Sequence, residues 1–185
     1  MSLIYALHVS VDGYVEDEHG RFDFLAPDEE VGSFVNQLTS SVGTHLYGRR
    51  MYETMVYWET AHTLPDQTQA ELDFGRRWQA IEKIVYSTTL AEPRGKRTRI
   101  ERKFDPDAVR QLKADVRHDI AIAGPEIAAH ALRAGLVDEI HMFIGPMIVG
   151  GGKRFFPDDV RLKLELVDER RFRSGVVFLR YVVRG

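Results

Sequence analysis

The stretch D-I-A-I-A-G-P-E-I-A-A-H-A-L-R-A-G-L-V-D-E-I-H-M-F-I-G-P-M-I-V-G-G-G, from Asp119 to Gly152, decides the fold of this chain. It holds a short apolar run, a Gly-Pro break, a segment of helical period closed by Gly135, a second apolar run and a glycine cluster. That order reads as strand, helix, strand. Pro125 suits the first helical position, where a missing N–H costs nothing, and Gly135 suits the residue just past the end. A helix that begins where a strand ends turns its free N–H groups and the positive end of its dipole toward the space above the sheet, a natural place for phosphate.

The same grammar extends toward the N-terminus. Leu3 to Val9 predicts a first strand buried on both faces, stopped by the turn residues Asp12-Gly13, and Tyr14 to Phe24 reads as a polar loop. Asp28 caps a helix with Glu29 and Glu30 in its first turn and Val31, Phe34, Val35, Leu38 and Val42 at helical spacing. Thr44 to Tyr47 is a short strand, and Gly48 to Glu53 starts another helix with Arg49 and Arg50 at its positive end, where cations are disfavoured unless an anion binds there. Tyr57 to Pro65 is irregular, Gln67 to Ile81 is a helix, and Lys83 to Tyr86 is a buried strand ending in Ser87-Thr88-Thr89. The basic run Pro93 to Lys103 reads as a solvated loop and edge strand, and Asp105-Pro106-Asp107 opens a further helix. Beyond Gly152 the period changes to two. Leu162, Leu164 and Leu166 alternate with Lys163 and Glu165, Arg173-Ser174-Gly175 turns, and Val176 to Val183 returns as an antiparallel hairpin.

The composition is that of an ordinary globular chain of one domain, spanning residues 1–185, with 44% hydrophobic and 29% charged residues. A net charge of -3 gives no electrostatic reason to expect nucleic acid or an anionic membrane as partner. Without cysteine there is no thiol nucleophile, iron–sulfur cluster or Cys-based zinc site, in keeping with a cytoplasmic protein. Met1 to Val11 reads as a strand and not as a signal peptide, and no apolar run is long enough to span a bilayer.

Three strand ends carry phosphate-friendly chemistry: Gly48-Arg49, Ser87-Thr88, and Gly124-Pro125 before a helix. If those strands are parallel, the groups converge on one edge of the sheet. Other phosphate motifs fail. Gly150-Gly151-Gly152-Lys153 lacks the Gly and Ser/Thr that a P-loop needs at Met147 and Arg154, and no G-x-G-x-x-G occurs. The glycines instead suit a backbone that passes close to a ligand or forms a bulge. No metal set completes around Glu126 and His130, no G-x-S-x-G elbow is present, and His8 and His141 are expected as hydrogen-bonded core histidines. Asp12, just past the first strand, is either a turn-former or a carboxylate that orients a ligand or relays a proton.

The runs S-V-D-G-Y-V, L-Y-G-R-R-M-Y-E, I-V-Y-S-T-T-L and A-G-P-E-I-A-A-H-A-L-R-A-G-L-V-D-E-I-H-M-F-I-G-P-M-I-V-G-G-G-K-R-F-F resemble the dihydrofolate reductase-like superfamily. Within it they are most similar to stand-alone proteins related to the reductase domain of the bifunctional riboflavin-biosynthesis deaminase–reductase. The resemblance implies a central, mostly parallel sheet with an antiparallel C-terminal hairpin and helices on both faces. It also implies an NADPH-dependent reductase acting on a small, pterin- or pyrimidine-like substrate. The alternatives are the riboflavin-pathway 5-amino-6-ribosylaminouracil phosphate reductase itself and a non-catalytic nucleotide- or pterin-binding protein. By resemblance, Gly48, Arg49 and Arg50 lie at the cofactor phosphates, and Ser87 and Thr88 at the adenosine ribose and its 2′-phosphate. Ala123, Gly124, Pro125, Glu126 and Ile127 wrap the pyrophosphate, while Ala6, Asp12 and Gly13 lie near the nicotinamide, with Asp12 the candidate catalytic residue. The family often has two glycines where this chain has Ala123-Gly124, and Pro125 removes one N–H donor from the cradle. The hairpin from Leu162 to Val183 offers a sheet edge or face for a symmetric homodimer, as the likeness suggests.

Overall fold

In a computed structural model that describes residues 1–184, ten strands and five helices alternate along the chain. They are β1 (Leu3–Ser10), β2 (Tyr14–Glu16), α1 (Glu29–Leu38), β3 (Val42–Gly48), α2 (Arg49–Met55), α3 (Gln69–Ala80), β4 (Glu82–Tyr86) and β5 (Thr98–Glu101). Then follow α4 (Pro106–Asp115), β6 (Asp119–Ala123), α5 (Pro125–Arg133), β7 (Glu139–Gly145), β8 (Lys153–Arg154), β9 (Lys163–Arg171) and β10 (Val177–Arg184). Eight strands form one sheet in the order β5-β4-β3-β6-β1-β7-β10-β9, and β2 pairs with β8 in a separate ribbon. The pairs from β5 to β7 are parallel, and β10 joins β7 and β9 antiparallel.

The parallel strands are apolar because helices cover both of their faces. On one face Leu3, Tyr5, Leu46, Ile120 and Ile122 meet Val109 of α4 and Ile127, Ala128 and Leu132 of α5. On the other, Tyr52 of α2 and Trp78 of α3 pack over Tyr47, Val85 and Ala123. Val31, Phe34, Val35 and Leu38 of α1 cover Phe143, Phe172 and Phe178. Between those two layers Ala6 and His8 of β1 and His45 of β3 are only half-buried.

The helix starts follow their sequence signals. Asp28 accepts from Val31 N at 2.8 Å, Thr68 and Glu71 complete a capping box, and Asp105 accepts from Asp107 N with Pro106 behind it. Two segments depart from the reading above. Val42 opens β3 instead of extending α1, because Thr39 bonds back to Val35 O and closes the helix at Leu38. The expected loop Tyr14 to Phe24 contains β2 and a 3-10 turn at Asp23–Leu25, because β2 finds a partner in β8, far along the chain.

Candidate active site at the strand ends

Strands β4, β3 and β6 are neighbours and parallel, so the segments after Tyr86, Gly48 and Ala123 emerge side by side. The start of α2 abuts the start of α5. A Cβ built on Gly124 would lie 3.9 Å from Gly48 N and 3.4 Å from Met51 Cβ. Gly124 holds φ +107, a conformation costly for any other residue, and hands the chain to Pro125 at the first helical position. Neither helix has a side-chain cap, since both N-cap residues are glycines. The first-turn amides and dipole ends of two helices are thereby pooled in one place, chemistry suited to an anion. Ala123 is buried in the core, so only its backbone faces this site, and Ile127 packs inward.

Arg49 joins the β3 end to the β4 end. Its Nε donates to Glu53 at 2.9 Å and its Nη1 to Thr89 Oγ1 at 2.7 Å. Ser87, expected with Thr88 at the ribose and its 2′-phosphate, is buried, and its hydroxyl accepts from the amides of Thr89 and Leu90. The exposed hydroxyls of this turn are those of Thr88 and Thr89. Arg102 braces the turn from β5's side, donating to Ser87 O at 3.0 Å and to Leu90 O at 2.7 Å. Sequence reasoning placed Arg102 in an anonymous basic run, and no local spacing signals its contact across the sheet edge.

At the end of β1, Asp12 lies beside the loop that follows β7. Its carboxylate accepts from Ser10 Oγ at 2.6 Å, from Gly150 N at 2.7 Å and from Val149 N at 3.1 Å. Those bonds, that from Ser10 foremost, hold it at about 2, so it stays ionised at any working pH. This environment suits an anchor for the loop after β7 more than a proton relay. Gly13, at φ +90, completes the turn, and its carbonyl accepts from Phe155 N. Within the glycine cluster, Gly152 serves a close approach of the chain to itself: a side chain there would collide with the backbone of Glu16 and Asp17.

Arg50 pairs with Glu16 Oε1 of β2 at 3.1 Å. Glu126, in the first turn of α5, accepts from Lys153 Nζ at 2.7 Å, which keeps its carboxyl below the usual range. His141 is buried and bonds Glu139 at 2.9 Å, as expected of a core histidine. His8, for which the same was expected, instead stacks on Phe143 with ring centroids 4.9 Å apart. Burial lowers it to about 4. His45, two strands away on the same sheet face, bonds through Nδ1 to Tyr47 Oη at 2.6 Å. Burial, helped by Lys83, lowers it to about 3. Among the described residues no group of three or more His, Cys, Asp or Glu could hold a metal ion.

The match to known proteins runs nearly end to end, with residues 1–178 fitting the family described as RibD C-terminal domain. The chain belongs to the RibD C-terminal domain family. The uncharacterized protein YyaP of Bacillus subtilis (strain 168) is 31% identical over 190 aligned positions, which cover 99% of this chain and 95% of YyaP. Among solved structures, a putative riboflavin biosynthesis protein from Shewanella sp. PV-4 superposes with a TM-score of 0.76 at 20% identity over the full length of both chains. The diaminohydroxyphosphoribosylaminopyrimidine deaminase/5-amino-6-(5-phosphoribosylamino)uracil reductase from Thermotoga maritima gives 0.68 at 12% identity, covering 99% of this chain and 56% of that one. These likenesses establish the reductase-type fold of the family, with its mostly parallel sheet and antiparallel C-terminal strands. The chain spans only about half of the bifunctional Thermotoga protein.

Proposed function

We propose that this protein is a reductase that binds NADPH along the ends of β4, β3 and β6 and reduces a small heterocyclic substrate beside β1. The observation that carries the reading is the meeting of two uncapped helix starts at Gly48 and Gly124, on neighbouring parallel strands. A dinucleotide has the chemistry that fits this arrangement: a pyrophosphate for the pooled amides and a ribose with its 2′-phosphate for the next strand end. Arg49 stands at that next end, held against Thr89. When bound, NADPH supplies the hydride; the protein binds, orients and excludes water.

Residues of the chain divide that work. Gly124 keeps the two helix starts close, and Arg102 stiffens the turn after β4. Asp12 holds the loop after β7 against the end of β1. Ala6 and half-buried His8, stacked on Phe143, support a planar substrate by offering a flat floor between α1 and the α2/α3 layer.

Titration of the purified protein with NADPH and with NADH tests the reading. NADPH at millimolar concentration is expected to raise the melting temperature. No shift with either nucleotide would remove the cofactor from the account. Replacing Arg49 by Ala is expected to weaken NADPH more than NADH; equal losses would show that the guanidinium does not see the 2′-phosphate. Assay on the riboflavin-pathway pyrimidine substrate separates that specific activity from reduction of another heterocycle, and cofactor binding without turnover on any would leave a binding protein.

A further inference from the structure

Four charged side chains link the two helix starts through the β2/β8 ribbon. Arg50, second residue of α2, pairs with Glu16 of β2 at 3.1 Å. Glu16 also meets Lys153 of β8 at 3.4 Å, and Lys153 bonds Glu126, second residue of α5, at 2.7 Å. Arg50 and Glu126 thus mark the ends of the helices that meet at Gly48 and Gly124. The ribbon is packed tightly enough to serve as a frame, since Gly152 lies on the backbone of Glu16 and Asp17, and Gly20 on the Arg50 guanidinium.

We propose that Lys153 is a cofactor-binding cation, paired with Glu126 and Glu16 as stand-ins for the anion. The inference rests on the dinucleotide reading above and adds to it one phosphate-neutralising residue and a competing carboxylate. Glu126 shares the first turn of α5 with the amides that would face phosphate, so it occupies the same positive field and the same lysine. The pairs are half-open to solvent: the side chains are 23% exposed at Lys153, 78% at Glu126 and 62% at Arg50. Ion pairs of this kind contribute little stability, so exchanging a carboxylate for a phosphate costs the fold little. Phosphate, with more charge and more acceptor oxygens, wins the exchange. The cofactor would be met by a cation already in place, and the lone carboxylate would lower affinity instead of raising it.

The test is calorimetric titration of NADPH, with inorganic pyrophosphate as second probe, into wild type, Glu126→Gln and Lys153→Met at low and moderate salt. Melting temperatures of the unliganded proteins report folding. Expected are NADPH binding about two- to fivefold tighter in Glu126→Gln, by the size of a partly exposed ion pair. Lys153→Met should bind about tenfold more weakly and show a shallower salt dependence. Unchanged or weaker binding in Glu126→Gln, with its melting temperature preserved, would overturn the stand-in role. Wild-type affinity in Lys153→Met would overturn the lysine's assignment while leaving the cofactor reading intact. Wild type that binds neither NADPH nor pyrophosphate would instead remove the dinucleotide reading itself, and this inference with it.

Discussion

At the level of single residues, the half-buried histidines between the helical layers set the acid stability of the fold. His8 and His45 have folded-state values of about 4 and about 3, below the ordinary 6.5, so the unfolded chain binds protons that the native one refuses. Their contribution is complete above about pH 6.5 and is lost as the pH falls toward 4. We expect the unfolding free energy from urea titration to drop over that window by an amount on the order of 2–3 kcal/mol, and a His45→Asn variant to flatten the slope. An unchanged slope would place the acid sensitivity elsewhere. Asp12 shifts in the same direction but titrates below this window. Ionised throughout, it cannot shape a pH–rate profile above about pH 4. Asp12→Asn should therefore weaken cofactor binding and speed amide exchange at Val149 and Gly150, whose N–H groups it accepts, without moving any pKa of the profile. A shifted profile would return Asp12 to proton transfer. Asp12 was legible in the sequence as a residue at the site, through its place after a buried strand. Its partner loop was not, because that loop lies more than a hundred positions away and carries no complementary motif.

The helices and strands fold by local rules that mostly survive in the structure. The capping box at Thr68 and Glu71 is one such rule, and Thr68→Ala is expected to cost about 1 kcal/mol in thermal or urea unfolding with no loss of cofactor affinity. Gly124→Ala is expected to act differently. It forces a side chain into a φ of +107 beside Met51 and separates the two helix starts. Destabilisation of about 1–2 kcal/mol should come with weaker NADPH binding. If stability falls while binding persists, the abutment of helix starts is not the anion site. The elements that local reasoning missed, β2 and β8, are two or three residues long and exist only as a pair. Neither has a run long enough to show a period of two. Likewise Val42 continues the helical spacing of α1 on paper, yet Thr39 ends the helix and a parallel partner in β6 claims the valine.

Across the whole molecule, the sheet has two different edges. The β5 edge is short and charged. The β9 edge is long and exposed from end to end, with Leu162, Leu164 and Leu166 between 36% and 45% exposed. Leu164 and Leu166 pair with Val183 and Tyr181 and so share one sheet face, while Lys163 and Glu165 point to the other. We propose that a homodimer, if the chain forms one, would use this apolar face, since charged residues on a strand edge oppose edge-to-edge pairing. Sedimentation should show a dimer in wild type and a monomer in Leu166→Lys. A monomeric wild type would end that expectation.

The sequence by itself determined the order of strands and helices in the core, the starts of α1, α4 and α5, and the three strand ends whose residues suit phosphate. Those are matters of local period, capping and turn preference, written within a few residues of each other. Tertiary structure alone decided which strands are neighbours, and hence that Gly48 lies beside Gly124 and that Arg49 reaches Thr89. It also decided the partners of Asp12, Arg50 and Lys153. A hydrogen bond or ion pair between residues a hundred positions apart is set by packing of the sheet and its helices, and no local preference of either residue encodes it.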